Sequence, residues 1–240
     1  MKHVDGGNAV VFRMIIVLLL VSRYAGAQEV VDLLPDIIVD ASLLEDNEIR
    51  TDIKPGRTHL IFSNAMANIG DGPLYLHGVK PKNKHHNGPT QKVKQRIFRS
   101  DGSHYGIVAG RFVYHPQHHH THFDDWAIYR LRKVRPADGV GAVIAKGHKT
   151  SFCLLDSFEY DTGLPNSPAH PEFYTCGTDT QGISVGYEDL YDKSIPGQWI
   201  DITDVPNGEY WLESEVDPKN NVLEKDETNN VARIKVTIAK

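Results

Sequence analysis

The fold class is decided near the carboxyl end of the chain, by Tyr210-Trp211-Leu212-Glu213-Ser214-Glu215-Val216. Apolar or small side chains alternate there with neighbours that are mostly charged, on a period of two. Successive side chains of a β-strand point to opposite faces, so this alternation predicts a strand with one buried face. The run Asp217-Pro218-Lys219-Asn220-Asn221 then predicts a turn. A second alternating stretch, with Ile234, Val236 and Ile238 on one face, predicts the last strand.

The same signals recur towards the amino end. A run that opens with His59-Leu60-Ile61-Phe62 continues to Asn68, Gly70-Asp71-Gly72-Pro73 marks a turn, and Leu74-Tyr75-Leu76 begins another strand. Turns recur about every ten residues, and no stretch has sustained helical periodicity. The sequence therefore predicts an all-β protein, an antiparallel β-sandwich with long loops and little helix.

The composition is that of an ordinary globular protein. Of the 240 residues, 40% are hydrophobic and 24% are charged. The 26 lysines and arginines are outnumbered by 31 aspartates and glutamates, which argues against a nucleic-acid partner. Two cysteines are too few for a disulfide-dense scaffold. Histidine is the unusual residue, because nearly half of the 13 lie between His104 and His122.

The amino-terminal residues have the pattern of a secretory signal peptide. Arg13 precedes an apolar run at residues 14–21, and the small-residue motif Ala25-Gly26-Ala27 follows. We therefore expect residues 1–27 to be a signal peptide and residues 28–240 to form a single domain that is secreted or periplasmic. No later apolar segment is long enough to cross a bilayer, so no membrane span is expected after cleavage.

Residues 80–99 are rich in positive charge. The cationic side chains are Lys80, Lys82, Lys84, Lys92, Lys94, Arg96 and Arg99. The segment is interpreted either as a loop that binds an anionic surface or as a solvated hairpin loop, and charge runs are more often the latter.

The histidine cluster has the spacing of a metal site on a strand. His118, His120 and His122 alternate, and residues i, i+2 and i+4 of a strand lie on one face, about 7 Å apart at the backbone. On a helix the middle residue would turn away. His119 would point to the opposite face, and His115 would lie behind the ligands.

Three neutral imidazoles suit copper(II), zinc, iron or nickel, and copper(II) is bound most strongly in the series of divalent ions. Three protein ligands leave a position open for water, oxygen or substrate, as catalytic sites require. The spacing alone does not choose between a copper oxidase and a zinc hydrolase that activates water.

Five blocks of the chain follow one another in a distinctive order. They are Tyr114 to Tyr129; Gly147-His148-Lys149-Thr150-Ser151-Phe152-Cys153-Leu154; Cys176 with Gln181-Gly182-Ile183-Ser184 and Asp189-Leu190-Tyr191; Gln198-Trp199-Ile200-Asp201-Ile202-Thr203-Asp204-Val205; and Glu227-Thr228-Asn229-Asn230-Val231. In the first block, the alternating histidines are followed by acidic residues, an aromatic residue and a tyrosine. That block resembles the copper-binding segment of the lysyl oxidase family, and the chain resembles this family from about Arg57 to the end, more weakly before Phe112.

The resemblance implies copper held by the three alternating histidines and a lysine tyrosylquinone built from Lys149 and Tyr191. It implies oxidative deamination of primary amines, either peptidyl lysine or small amines, to an aldehyde with release of ammonia and hydrogen peroxide. Dioxygen is then the second substrate. Because the lysine amine must be neutral to add to an oxidised ring, Lys149 is expected to be desolvated or near a cation.

A general base for this reaction is expected just past the third histidine, at Asp124 or Asp125. A carboxylate at either position is equally compatible with orienting a ligand imidazole. The stretch from His122 to Tyr129 is one residue shorter than in the animal proteins, which affects this assignment and the shape of the pocket.

The cysteines depart from the animal pattern of several disulfides. Cys153 and Cys176 match family positions, but Gln117 and the region Phe158–Glu159 stand where their usual partners are sought. The two cysteines are expected either to form a disulfide or to be free buried thiols. A disulfide here would close a loop and stabilise the fold by about 3 kcal/mol. The short signal peptide and the few cysteines favour a bacterial source.

Two other functions are weighed against the oxidase. One is a noncatalytic metal-binding extracellular β-sandwich, which the stretch from Val222 to Asn230 would also suit. The other is a three-histidine zinc hydrolase, which needs a carboxylate near the metal and has no use for Tyr191. Neither accounts for the matches at Lys149 and Tyr191.

Overall fold

A computed structural model of the chain describes residue 1 and residues 29–79, 90–116 and 119–240. The predicted signal peptide beyond its first residue, residues 80–89 of the basic segment, Gln117 and His118 lie outside the described residues. The described strands are β1 Asp32–Leu33, β2 Ile37–Val39, β3 Asn47–Arg50, β4 His59–Phe62, β5 Asn64–Asn68, β6 Leu74–Gly78, β7 Thr90–Arg99, β8 His104–His115, β9 His120–Phe123, β10 Ala127–Arg135, β11 Gly139–Lys146, β12 Phe158–Glu159, β13 Thr180–Ile183, β14 Tyr187–Tyr191, β15 Trp199–Asp201, β16 Gly208–Val216 and β17 Val231–Ile238.

Helical structure among the described residues is limited to the helix α1, Ala41–Leu44, and a 3-10 turn, Pro136–Asp138. Asp40 caps α1, because its carboxylate accepts a hydrogen bond from the Ser42 amide at 2.8 Å. In the described part of the chain, no helix is long and apolar enough to cross a membrane.

All the strand pairs are antiparallel, and the described strands form four sheets. Their orders are β13-β6-β7-β8-β9 with β1 beside β7, then β11-β10-β16-β17, β12-β14-β5-β2 and β15-β4-β3. The predicted all-β class is confirmed.

The stretch from Tyr210 to Val216 forms most of β16, as predicted. It pairs with β17 in a register that places Tyr210 opposite Val236 and Leu212 opposite Ile234. Glu213, on the other face, is fully buried beneath Arg130, Arg132 and Arg233. The centre of the polar face of this strand is therefore covered by cations, while Trp211 and Glu215 on either side are partly exposed.

The described half of the basic segment is a strand. Residues 90–99 form β7, in which Val93, Gln95 and Ile97 are buried. Lys92, Lys94 and Arg96 alternate with these buried residues. This part of the segment belongs to a sheet, so neither loop interpretation applies to it.

The buried apolar side chains of the sheets form one core cluster, in which Trp126, Tyr129 and Phe152 are among the largest members. Phe152 also joins the loop after β11 to β9, through an isolated bridge with Phe123. That bridge holds a loop of the second sheet against the edge strand of the first, where the predicted site residues lie.

Candidate functional site

A cavity of about 410 Å³ brings together residues from three parts of the chain. It is lined by the predicted residues His120, His122, Lys149 and Tyr191, and by one carboxylate, Asp189. Its remaining walls are mostly apolar, and they come from Cys153, Leu155, Ser157, Cys176, Leu190, Ile195 and Pro196.

His120 and His122 lie on the same face of β9, as their alternation predicts. Their Nε2 atoms are 2.8 Å apart, and their ring centroids are separated by 4.8 Å. With metal–nitrogen bonds of ~2.0–2.1 Å, adjacent nitrogens around one ion stand about 3 Å apart, so the pair fits a shared metal. His118 lies outside the described residues, and within those residues no group of three or more His, Cys, Asp and Glu is arranged to hold a metal ion.

A serine that the sequence analysis did not single out lies behind the histidine pair. Ser151 Oγ is 3.3 Å from His122 Nδ1 and 3.4 Å from His115 Nε2. The rings of His115 and His122 also pack together, with centroids 4.3 Å apart. The hydroxyl engages Nδ1 of His122 and so fixes the ring with Nε2 towards His120. His119 is exposed, in a turn with φ of 56°, before β9 begins.

Lys149 lies in a short loop that is anchored on both sides. Before it, the Gly147 amide donates to the Tyr129 carbonyl at 3.0 Å. After it, the Trp126 amide donates to the Thr150 carbonyl at 2.8 Å, and Phe152 bridges to β9. The backbone around the lysine is therefore set by strands of two sheets.

Tyr191 ends β14 and is held by backbone hydrogen bonds. Its hydroxyl donates to the Cys153 carbonyl at 2.7 Å and accepts from the Cys153 amide at 2.8 Å. Its ring packs edge-on against Phe152, with centroids 4.7 Å apart. Burial raises the pKa of this phenol well above its ordinary value.

The Lys149 amine faces the Tyr191 ring. Its Nζ lies 5.0 Å from the centroid of that ring and 4.9 Å from the centroid of Phe152. Burial lowers the pKa of the ammonium below its ordinary value, while the Asp189 carboxylate opposes that shift. The two residues matched by resemblance, 42 positions apart in the sequence, thus meet in one cavity, and the lysine is desolvated.

Asp189 is the site residue that the sequence analysis missed. Its side chain is 1% exposed, and its Oδ2 has no hydrogen-bond partner among the described residues. The Ser157 hydroxyl donates weakly to Oδ1, at 3.4 Å. A signal was present, because Asp189 stands two residues before Tyr191 and alternation places both on one face of β14.

The predicted general-base residues lie elsewhere. Asp124 forms an ion pair with Arg111 at 2.7 Å, and Asp125, in a turn with φ of 58°, pairs with Lys219 at 2.7 Å. Neither is among the residues that line the cavity. The structure therefore does not bring them together with Lys149 and Tyr191, and their role as a base stays a prediction.

The disulfide between Cys153 and Cys176 is formed, so the alternative of two free thiols is wrong. Both half-cystines line the cavity. The Cys176 carbonyl accepts from the Thr121 amide at 3.2 Å, between the two histidines. Because the Cys153 backbone holds Tyr191, the disulfide links the histidine strand to the tyrosine.

Comparison with known proteins gives the same assignment as the motifs. Residues 91–240 match the family model for lysyl oxidase, which is more than half of the chain. Over 124 residues the chain is 43% identical to lysyl oxidase homolog 1 of Homo sapiens, covering 51% of this chain and 20% of that protein. Over 218 residues it is 28% identical to lysyl oxidase homolog 2 of Xenopus tropicalis, covering 88% of this chain and 26% of that protein.

These relatives are animal proteins, and the expectation of a bacterial source is not borne out. The chain spans about a fifth to a quarter of the length of the relatives it matches. The family model covers the histidine strand, Lys149, the disulfide and Tyr191 together. On this match, the chain belongs to the lysyl oxidase family.

Proposed function

We propose that this protein is a copper-dependent amine oxidase whose organic cofactor is a lysine tyrosylquinone made from Lys149 and Tyr191. The observation that carries the proposal is the position of the Lys149 amine, 5.0 Å from the Tyr191 ring centroid, in a cavity that His120 and His122 also line. The overall reaction converts a primary amine, dioxygen and water into an aldehyde, ammonia and hydrogen peroxide.

His118, His120 and His122 would hold the copper. The separation of 2.8 Å between two of their Nε2 atoms and the neutral imidazole donors both fit that ion. Copper with dioxygen would supply the oxidation that turns Tyr191 into a quinone, and the quinone would be the electron acceptor for the amine.

Lys149 provides the nitrogen of the proposed cross-link. A lysine amine is a nucleophile only when it is neutral, and burial favours the neutral form of this one. The hydrogen bonds on either side of its loop restrict the positions that Nζ can reach. Two hydrogen bonds from the Cys153 backbone restrict the Tyr191 ring in the same way.

The apolar walls of the cavity suit an alkyl chain. Leu155, Ile195, Pro196 and the disulfide make up most of these walls. An aliphatic primary amine, either free or at the end of a protein lysine, is the substrate class that this lining suits.

We also propose that the protein works outside the cytosol, secreted or in a periplasm. The predicted signal peptide supports export, and a formed disulfide is typical of proteins in oxidising compartments.

The test is to load the purified protein with copper(II) in air and to map its proteolytic peptides by mass spectrometry. We expect a cross-linked pair that contains Lys149 and Tyr191, and we expect it to be absent without copper or dioxygen. Tyr191→Phe should abolish the cross-link and the release of peroxide from a small amine. Tyr129→Phe is the matched control, because Tyr129 is another buried tyrosine near Phe152, and it should leave both intact.

Unmodified peptides from a protein that holds copper would refute the oxidase. A noncatalytic metal-binding β-sandwich would then be favoured if no hydrolysis is found, and a zinc hydrolase if zinc-loaded protein hydrolyses a test ester regardless of Tyr191→Phe.

A further inference from the structure

The lining of the cavity includes a carboxyl group for which the proposed cofactor chemistry gives no role. Asp189 is buried and lines the cavity, and its Oδ2 has no hydrogen-bond partner among the described residues. Leaving a buried oxygen without a partner is unfavourable, more so when it is charged, and a bound ligand with a hydrogen-bond donor would satisfy it.

The surroundings of Asp189 show what kind of ligand would suit it. The neighbouring walls contributed by Leu155, Ile195 and Pro196 are apolar, and an alkyl chain would cover them. A hydrogen-bond donor at the end of that chain would bind Oδ2 of Asp189. Lys149, an amine at the end of an alkyl chain, lines the same cavity, and its charge acts to lower the pKa of Asp189.

The electrostatics of the pair favour moving a proton between its members. Burial raises the pKa of Asp189 well above its ordinary value and lowers that of Lys149. Both shifts have one cause, because an apolar cavity penalises any charged form. If the proton passes from Nζ to the carboxylate, both groups become neutral and no charge is left in the cavity. The amine then has a free electron pair.

We propose that Asp189 is the amine-receiving group of this cavity, first for Lys149 and later for a primary-amine substrate. This inference rests on the proposed function for its second part. In each case the carboxylate oxygen accepts a hydrogen bond and then a proton from an ammonium group, R–NH₃⁺. The products are the neutral amine, R–NH₂, and the carboxylic acid, so charge and protons balance. Asp189 thus contacts the substrate amine directly and selects amines over other alkyl compounds.

The first experiment tests recognition without copper and without turnover. Lys149→Met removes the internal amine and leaves Asp189 without the neighbouring cation, while a side chain of similar length keeps the cavity wall in place. We expect this variant to bind n-butylammonium, measured by calorimetry, and the double variant Lys149→Met with Asp189→Asn to bind it at least about tenfold more weakly. Binding of n-butanol, which has the same chain and no charge, should differ by less than about twofold between the two variants.

Glu188→Gln supplies the matched control. Glu188 precedes Asp189 on β14, is also buried and also has an unpartnered oxygen, but it does not line the cavity. Combined with Lys149→Met, it should leave n-butylammonium binding unchanged. Equal affinity for n-butylammonium with and without Asp189→Asn would overturn the proposal, and so would equal losses in the Asp189 and Glu188 variants.

The second experiment uses the otherwise native chain and applies even if Lys149→Met does not fold. With copper and air, Asp189→Asn should lower the rate of Lys149–Tyr191 cross-linking at least about tenfold relative to Glu188→Gln, with no loss of thermal stability. Equal rates would refute the role of Asp189 while leaving the oxidase intact. If the wild-type chain forms no cross-link, the proposed function fails, and the calorimetry alone decides on amine recognition.

Discussion

Replacing both half-cystines, Cys153→Ala with Cys176→Ala, should destabilise the fold and disturb the site. The bridge encloses a sequence separation of 23 residues, and both cysteines line the cavity. Cys153 holds the Tyr191 hydroxyl by two backbone hydrogen bonds, and Cys176 holds the amide of Thr121 on the histidine strand. Removing the bridge frees the two halves of the site from each other.

The size of the expected loss of stability follows from the length of the loop that the disulfide encloses. The loop-closure entropy for a separation of 23 residues corresponds to about 3.4 kcal/mol, which changes the unfolding equilibrium about 300-fold. With a urea dependence of about 2–3 kcal/mol per molar, the unfolding midpoint should fall by roughly 1–2 M. Urea titration followed by tryptophan fluorescence measures this shift.

A reducing agent provides the control. It should lower the midpoint of the wild-type chain to that of the double variant and should leave the variant unchanged. A loss below about 1 kcal/mol with an unchanged slope would refute the loop-closure argument. Full cross-linking of Lys149 and Tyr191 in the folded double variant would refute the coupling of the two halves.

Two further predictions concern single side chains. Ser151→Ala removes the hydroxyl that contacts His122 and His115, and copper affinity measured by competition with a chelator should fall about tenfold, as for other groups that orient metal ligands; unchanged affinity would contradict that role. Glu188 has its pKa raised by burial to about 7, so the folded chain holds a proton that the unfolded chain releases. The contribution of Glu188 to stability should therefore fall as pH rises from about 4.5 to about 7, by on the order of 2–3 kcal/mol. In urea titrations the decline should be smaller by that amount in Glu188→Gln, the remainder coming from other buried carboxyl groups such as Glu224; an equal decline in both proteins would contradict it.

Much of the fold could be predicted because strand signals are local. The alternation around Leu212 and Ile234 reflects which side chains face the core, and the two strands pair in register. The burial of Glu213 could not be predicted, because its arginine partners come from β10 and β17 and only the sheet order brings them together.

The candidate site, like the fold, was only partly predictable from the sequence. The shared face of His120 and His122 follows from a period of two and needed no tertiary information. The meeting of Lys149 with Tyr191 depends on strands of different sheets, so only the resemblance to a family could suggest it. The face that Asp189 shares with Tyr191 follows from alternation along β14, but the burial of its carboxyl group in the cavity becomes visible only in three dimensions.

The order of Lys149, Cys153, Cys176 and Tyr191 along the chain has a topological consequence. The disulfide loop lies wholly inside the span from Lys149 to Tyr191, so the proposed cross-link would make two nested rings. Of the 42 residues in that span, 23 are already enclosed by the disulfide, so the new bond would close about 19 more. Closing a loop of this size adds about 3 kcal/mol to the free energy of unfolding. Formation of the cross-link would thus leave two nested covalent rings that persist after denaturation, and the same bond that completes the cofactor would also stabilise the folded chain.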